Sequence, residues 1–191
     1  MPTLIDRESR REDEWVAYGG EAAAVAAGSA VLVPLAAWKT DAQALRARGV
    51  RLGLLLGPAD EPGEIAGDLE SFELIAVEFP KFTDGRGYSI ARTLRERLGW
   101  RGELRAVGEV LRDQLFYMAR CGFDSFALAD DEDAERALAH FSVFSDAYQG
   151  ATDRVPLFQR RRAAADAQAR SIAAELLRHA AQDERPEGEP A

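Results

Sequence analysis

Two cations and a carboxylate, Lys81, Arg86 and Asp84, fall within six residues of one another, interleaved with Gly85, Gly87 and Ser89. Residues of these types at this spacing suit a small oxyanion. Two glycines let backbone approach a bound group, N–H groups at a helix start favour anions, and Lys81 and Arg86 supply charge-assisted donors. Asp84 orients Arg86 or acts as an acid or base. Arg105, in a later apolar run, joins the set if it points to the strand end, and Glu109 follows at the mouth of that strand. The competing reading gives these groups local work: Asp84 caps the turn, Lys81 is solvated, and Arg86 is tied to Glu78 or Asp113.

The same stretch superficially satisfies a dinucleotide fingerprint. Gly85-Arg86-Gly87-Tyr88-Ser89-Ile90-Ala91 reads G-x-G-x-x-x-A, with Glu109 at about the expected distance. Ile90 holds the third glycine position, however, and Pro80-Lys81-Phe82-Thr83-Asp84 separates the strand from the first glycine. The fingerprint needs its turn directly at the strand end, so no nucleotide cofactor is expected. Cys121 is the single cysteine, flanked by Ala119 and Phe123 near a helix C-terminus, where the dipole disfavours thiolate. It reads as a small buried residue. The run Asp130-Asp131-Glu132-Asp133 reads as helix capping, and the two histidines, His140 and His179, lack zinc spacing. No metal is expected.

The elements that must position the loop alternate in type. Apolar runs at 30–35, 50–56, 73–79, 104–107 and 126–128 read as strands. Segments at 40–48, 90–98, 110–120 and 130–144 read as helices, with Ser89 as N-cap of the second. This order predicts an α/β fold: parallel strands with helical crossovers, either an open sheet or a partial β/α barrel, plus a long C-terminal helix. Both put ligand sites at the C-terminal strand ends, where the glycine loop falls. The expected organisation is an N-terminal arm or hairpin at 1–20 carrying Trp15 and Tyr18, one α/β domain at 21–150, a helix at 151–182, and a disordered acidic tail at 183–191. The helix packs on its own core or on a second subunit, which makes a homo-oligomer one expectation.

Composition narrows the class. A formal charge of −9 over 191 residues argues against a nucleic-acid partner, and Arg160-Arg161-Arg162 reads as a solvated helix face. The apolar stretch at 22–37 is interrupted by Gly28, Ser29 and Pro34 and falls short of a membrane span. A cytoplasmic protein is expected.

Three blocks carry a family likeness: Phe79-Pro80-Lys81-Phe82-Thr83-Asp84-Gly85-Arg86-Gly87-Tyr88-Ser89, Gly102-Glu103-Leu104-Arg105-Ala106-Val107-Gly108, and Val110-Leu111-Arg112-Asp113-Gln114 leading into Arg120-Cys121-Gly122-Phe123-Asp124. With Asp13-Glu14-Trp15 and Val33-Pro34-Leu35, the chain resembles a bacterial family of unknown function, the domain of unknown function numbered 934. The resemblance implies a gene commonly placed beside sulfite reductase, and a label of oxidoreductase for some members. It implies no catalytic residues. The expected function is therefore that of an accessory protein of assimilatory sulfate and sulfite reduction, binding a small oxyanion, sulfite reductase, or both through loop 81–89. The alternative is an enzyme acting on small sulfur compounds.

Overall fold

Five apolar segments become the body of one sheet: β4 (Ala30–Pro34), β5 (Arg51–Leu56), β6 (Leu74–Phe79), β7 (Glu103–Gly108) and β8 (Ser125–Ala127). The structure is a computed structural model that describes residues 2–130 and 132–143, together with Thr152 and Arg162. Each of the five strands lies parallel to the next in sequence, so the chain winds in one direction without the reversal of a doubly wound sheet. The crossovers carry α1 (Leu35–Ala47), α2 (Arg86–Arg92) continued by a π turn at Thr93–Arg97, and α3 (Leu115–Arg120). The β5–β6 connection uses two short 3-10 turns, and α4 (Ala134–Ala139) follows β8.

Three two-residue strands complete the sheet: β1 (Leu4–Ile5), β2 (Arg10–Arg11) and β3 (Val16–Ala17). The spatial order is β2-β1-β8-β7-β6-β5-β4-β3. β1 is antiparallel to both β2 and β8, so the sheet is mixed where only parallel strands are expected from the sequence. The N-terminal hairpin is thus hydrogen-bonded into the sheet itself.

Register sorts the side chains by face. The ladders Val33–Leu54–Ile75–Leu104 and Leu56–Val77–Ala106–Phe126–Ile5 are buried and form the core beneath the helices. The alternate ladders, Leu32–Gly53–Leu74–Glu103 and Leu55–Ala76–Arg105–Ser125, face the other way. Across this second face runs the strap 12–15, which joins β2 at one edge to β3 at the other. The five Cα-to-Cα steps from Arg11 to Val16 reach at most about 18 Å, whereas the edges of a flat eight-stranded sheet stand about 34 Å apart. The sheet must therefore curl around the strap, and it forms a curled half-barrel with helices on its convex side.

The strap is fastened at three points. Asp13 accepts from the Arg105 Nη1 at 2.8 Å, and Glu14 pairs with Arg51 at 2.8 Å. The Trp15 ring lies against Gly53, where a Cβ would fall 2.8 Å from its Cζ3 atom.

Residues 1–145 and 151–153 form one compact unit, and the remaining chain forms a second. The expected helix at 151–182 lies outside the described residues apart from Thr152 and Arg162, and the expected tail at 183–191 lies wholly outside them. Among the described residues no helix is long and apolar enough to cross a membrane.

Candidate functional site

The loop of interest leaves β6 after Phe79, whose side chain is fully buried. The Asp84 N–H donates to the Lys81 carbonyl at 2.9 Å and closes a turn. The Asp84 carboxylate then accepts three bonds from Arg86: the backbone N–H at 3.2 Å, Nε at 3.0 Å and Nη2 at 2.6 Å. The Arg86 side chain is thus an exposed guanidinium locked on its own neighbour. Its hydrogen bonds hold the Asp84 carboxyl at a pKa of about 2.

Helix α2 begins at Arg86, four residues ahead of the expected start at Ile90. The reason is local, since Asp84 takes the Arg86 N–H that opens the first turn. Ser89 consequently sits inside the helix rather than at its cap. Gly87 also has an internal explanation. A Cβ there would stand 2.5 Å from Phe79 Cζ, so the glycine makes room for the protein's own buried ring. Arg86 and Ser89 line a cleft of about 270 Å³ with Ile90, Pro58, Asp60 and Glu61. Two carboxylates and one guanidinium already paired give it little positive potential.

Glu109 and Gln114 reach the loop from the far side. Glu109 Oε2 accepts from the Phe82 N–H at 3.0 Å, and Gln114 Nε2 donates to the Phe82 carbonyl at 2.9 Å. Gln114 is itself held, because its Oε1 accepts from the Leu111 N–H at 3.2 Å. Both backbone groups of Phe82 are therefore tied down while its side chain projects outward, 56% exposed. Lys81 beside it is exposed and has no ion-pair partner among the described residues.

A family model described as bacterial protein of unknown function, DUF934, matches residues 53–158. That span is more than half of the chain. The chain belongs to the DUF934 family. No curated protein matches it. The DUF934 span takes in β5 from Gly53 onward, β6, the loop 80–85, α2, β7, the turn that bears Gln114, and β8; the strap 12–15 lies outside it.

Within this DUF934 chain, Lys81, Asp84, Gly85, Arg86, Gly87, Ser89 and Glu109 are gathered around one loop, but Arg105 stands apart. It is 4% exposed on the concave face. Its guanidinium is held by Asp13, by Glu103 at 2.9 Å and by Ser125 at 3.2 Å. These partners keep it off the C-terminal strand end, and its work is to fasten the strap. The sequence could not show this, because Asp13 lies 92 residues away.

Cys121 is buried, and desolvation pushes its thiol pKa up, in part offset by a hydrogen bond with Tyr117. That places it as a packing residue with little thiolate character. Asp133 caps α4 through the Arg136 N–H at 3.0 Å. Two structural anchors are missed by sequence reasoning. Gln114 is one. Arg95 is the other: it bonds the carbonyls of Gly122, Trp100 and Gly102 and pairs with Asp124, tying α2's π turn to the entry of β7. The only sequence hint for Gln114 is its place three residues into a helix start, where glutamine reaches back to a backbone N–H.

Proposed function

We propose that this protein is a cytoplasmic accessory protein of assimilatory sulfate and sulfite reduction, acting through loop 81–89 on sulfite reductase, on a small oxyanion, or on both. The resemblance to a family encoded beside sulfite reductase supplies the process. The observation that carries the role of the loop is its build: Phe82 exposed with both backbone groups held, next to Lys81, which has no ion-pair partner among the described residues. Such a surface suits recognition of another molecule better than chemistry upon it. Of the two ligands, the protein partner draws more support. Arg86 is already bonded to Asp84, and Asp60 and Glu61 share its cleft. Reading the chain as an oxidoreductase draws less, since its one thiol is buried and poorly ionised.

The test is growth of a deletion strain on sulfate, sulfite or cysteine as sole sulfur source. It is complemented by wild type, by Lys81→Ala and by Arg86→Ala, with expression checked by immunoblot. The expected result is failure on sulfate and sulfite but not on cysteine, restored by wild type and poorly by Lys81→Ala. Normal growth of the deletion strain on all three sources removes the role.

A further inference from the structure

We infer that loop 80–85 is a preformed anchor that inserts the Phe82 ring into an apolar pocket on a protein partner, with Lys81 meeting a carboxylate at the rim of that pocket. This inference rests on the accessory reading and specifies its partner-binding residue.

The first ground is the cost of ordering. An exposed loop aromatic in solution samples many positions, and binding must freeze it. Here Glu109 and Gln114 hold the Phe82 N–H and carbonyl at 3.0 and 2.9 Å, so the backbone is fixed before any partner arrives. Both clamps come from the next strand–helix unit and span 27 and 32 residues of sequence. The fold therefore spends two long-range bonds on an exposed phenylalanine that contributes nothing to the core. A second aromatic, Tyr117, lies three residues beyond Gln114 and is 47% exposed. Its ring is 5.0 Å from that of Tyr88, which in turn packs on buried Phe79 at 5.2 Å. The loop thus leaves the sheet from Phe79, a residue that is itself packed in an aromatic cluster.

The second ground is charge. Asp84 compensates Arg86, whereas Lys81 has no anion among the described residues. An ammonium beside an exposed ring selects a pocket with a carboxylate at its edge, the usual arrangement of an apolar centre and a polar rim. A free sulfite or phosphate has no use for the ring, so the anchor points to a protein.

The experiment measures binding of the full chain to purified sulfite reductase holoenzyme by biolayer interferometry. Variants are Phe82→Ser, Lys81→Glu and, as a control on a distant exposed residue, Val16→Ser. Melting by circular dichroism shows that each variant is folded. The anchor predicts that Phe82→Ser weakens binding about tenfold or more, that Lys81→Glu weakens it about three- to tenfold, and that Val16→Ser leaves it unchanged. Binding that is indifferent to Phe82→Ser overturns the anchor and leaves the accessory reading intact. Absence of wild-type binding overturns sulfite reductase as partner, and the anchor is then decided by a benzoylphenylalanine placed at 82 in growing cells. An adduct with one identified protein, mapped to an apolar site bearing an acidic residue and lost with Lys81→Glu, upholds it. No adduct, or an adduct within the chain to residues 154–191, overturns it.

Discussion

Replacing Gly53 by alanine tests whether the strap holds the Trp15 ring hard against the sheet. The added methyl would lie 2.8 Å from Trp15 Cζ3, 2.9 Å from Cε3 and 3.2 Å from Leu32 Cδ1. Carbon atoms prefer about 3.5–4.0 Å, so the indole must retreat by roughly 1 Å. Trp15 is anchored by neighbours that move with it: the Arg51 guanidinium 5.4 Å from its ring, the Glu14–Arg51 pair and the Asp13–Arg105 pair. Overpacking of this kind costs about 1–3 kcal/mol. For a chain of this size each kcal/mol lowers the melting temperature by about 2–4 °C. With Trp15→Ala already in place, the two shortest of these contacts are gone and Leu32 Cδ1 at 3.2 Å remains. Alanine in a strand is then favoured over glycine by about 0.5–1 kcal/mol. Gly53→Ala should therefore destabilise the native protein and be neutral or stabilising in the Trp15→Ala background. Urea denaturation followed by far-ultraviolet circular dichroism on the four proteins of this cycle measures the coupling. Equal cost in both backgrounds, within about 0.5 kcal/mol, would refute the reasoning.

Two further outcomes follow from the site. Gly87→Ala drives a methyl into the Phe79 ring, with three ring atoms at 2.5–3.0 Å, and should lower stability by about 1–3 kcal/mol in the same denaturation assay; a neutral result would show that Phe79 can move. Asp84 should titrate at about 2, because Arg86 hydrogen bonds hold it down. Its folded pKa lies below the unfolded value of about 3.9, so its contribution is present above that value and is lost as pH falls through about 2. Carboxyl carbon resonances report it directly, and Arg86→Ala should move the midpoint upward; an unmoved midpoint would take Arg86 out of the account.

The strands were legible because burial on both faces writes nearly unbroken apolar runs. The runs at 50–56 and 73–79 correspond to β5 at Arg51–Leu56 and β6 at Leu74–Phe79. Helix starts were harder. α1 follows Pro34 with no side-chain cap, so its start at Leu35 carries no capping signal and lies five residues ahead of the expected segment at 40–48. The expected helix at 110–120 is an extended entry and a 3-10 turn before α3 begins at Leu115. The curl of the sheet was illegible for a different reason. It depends on two-residue strands, too short to show a period, and on contacts such as Asp13–Arg105 across most of the domain. The position of the glycine loop could be read locally, but the clamps on Phe82 could not, because they are set by neighbouring strand–helix units.

The antiparallel pairing of β1 with β8 also sets an order of events during synthesis. Leu4 finds its partner only when Ala127 has been made. At about 5–20 residues per second that interval is roughly 6–25 s. Throughout it the first strand and its hairpin have no sheet edge to join, while β4 to β7 can already pair, each with the strand just made. The sheet can therefore assemble from its middle outward, and β1, made before the other strands of the sheet, is among the last to find its place. A translation pause before residue 125 would prolong the time that Leu4 and Ile5 stay uncovered, and chaperone capture of the nascent chain should peak in that window.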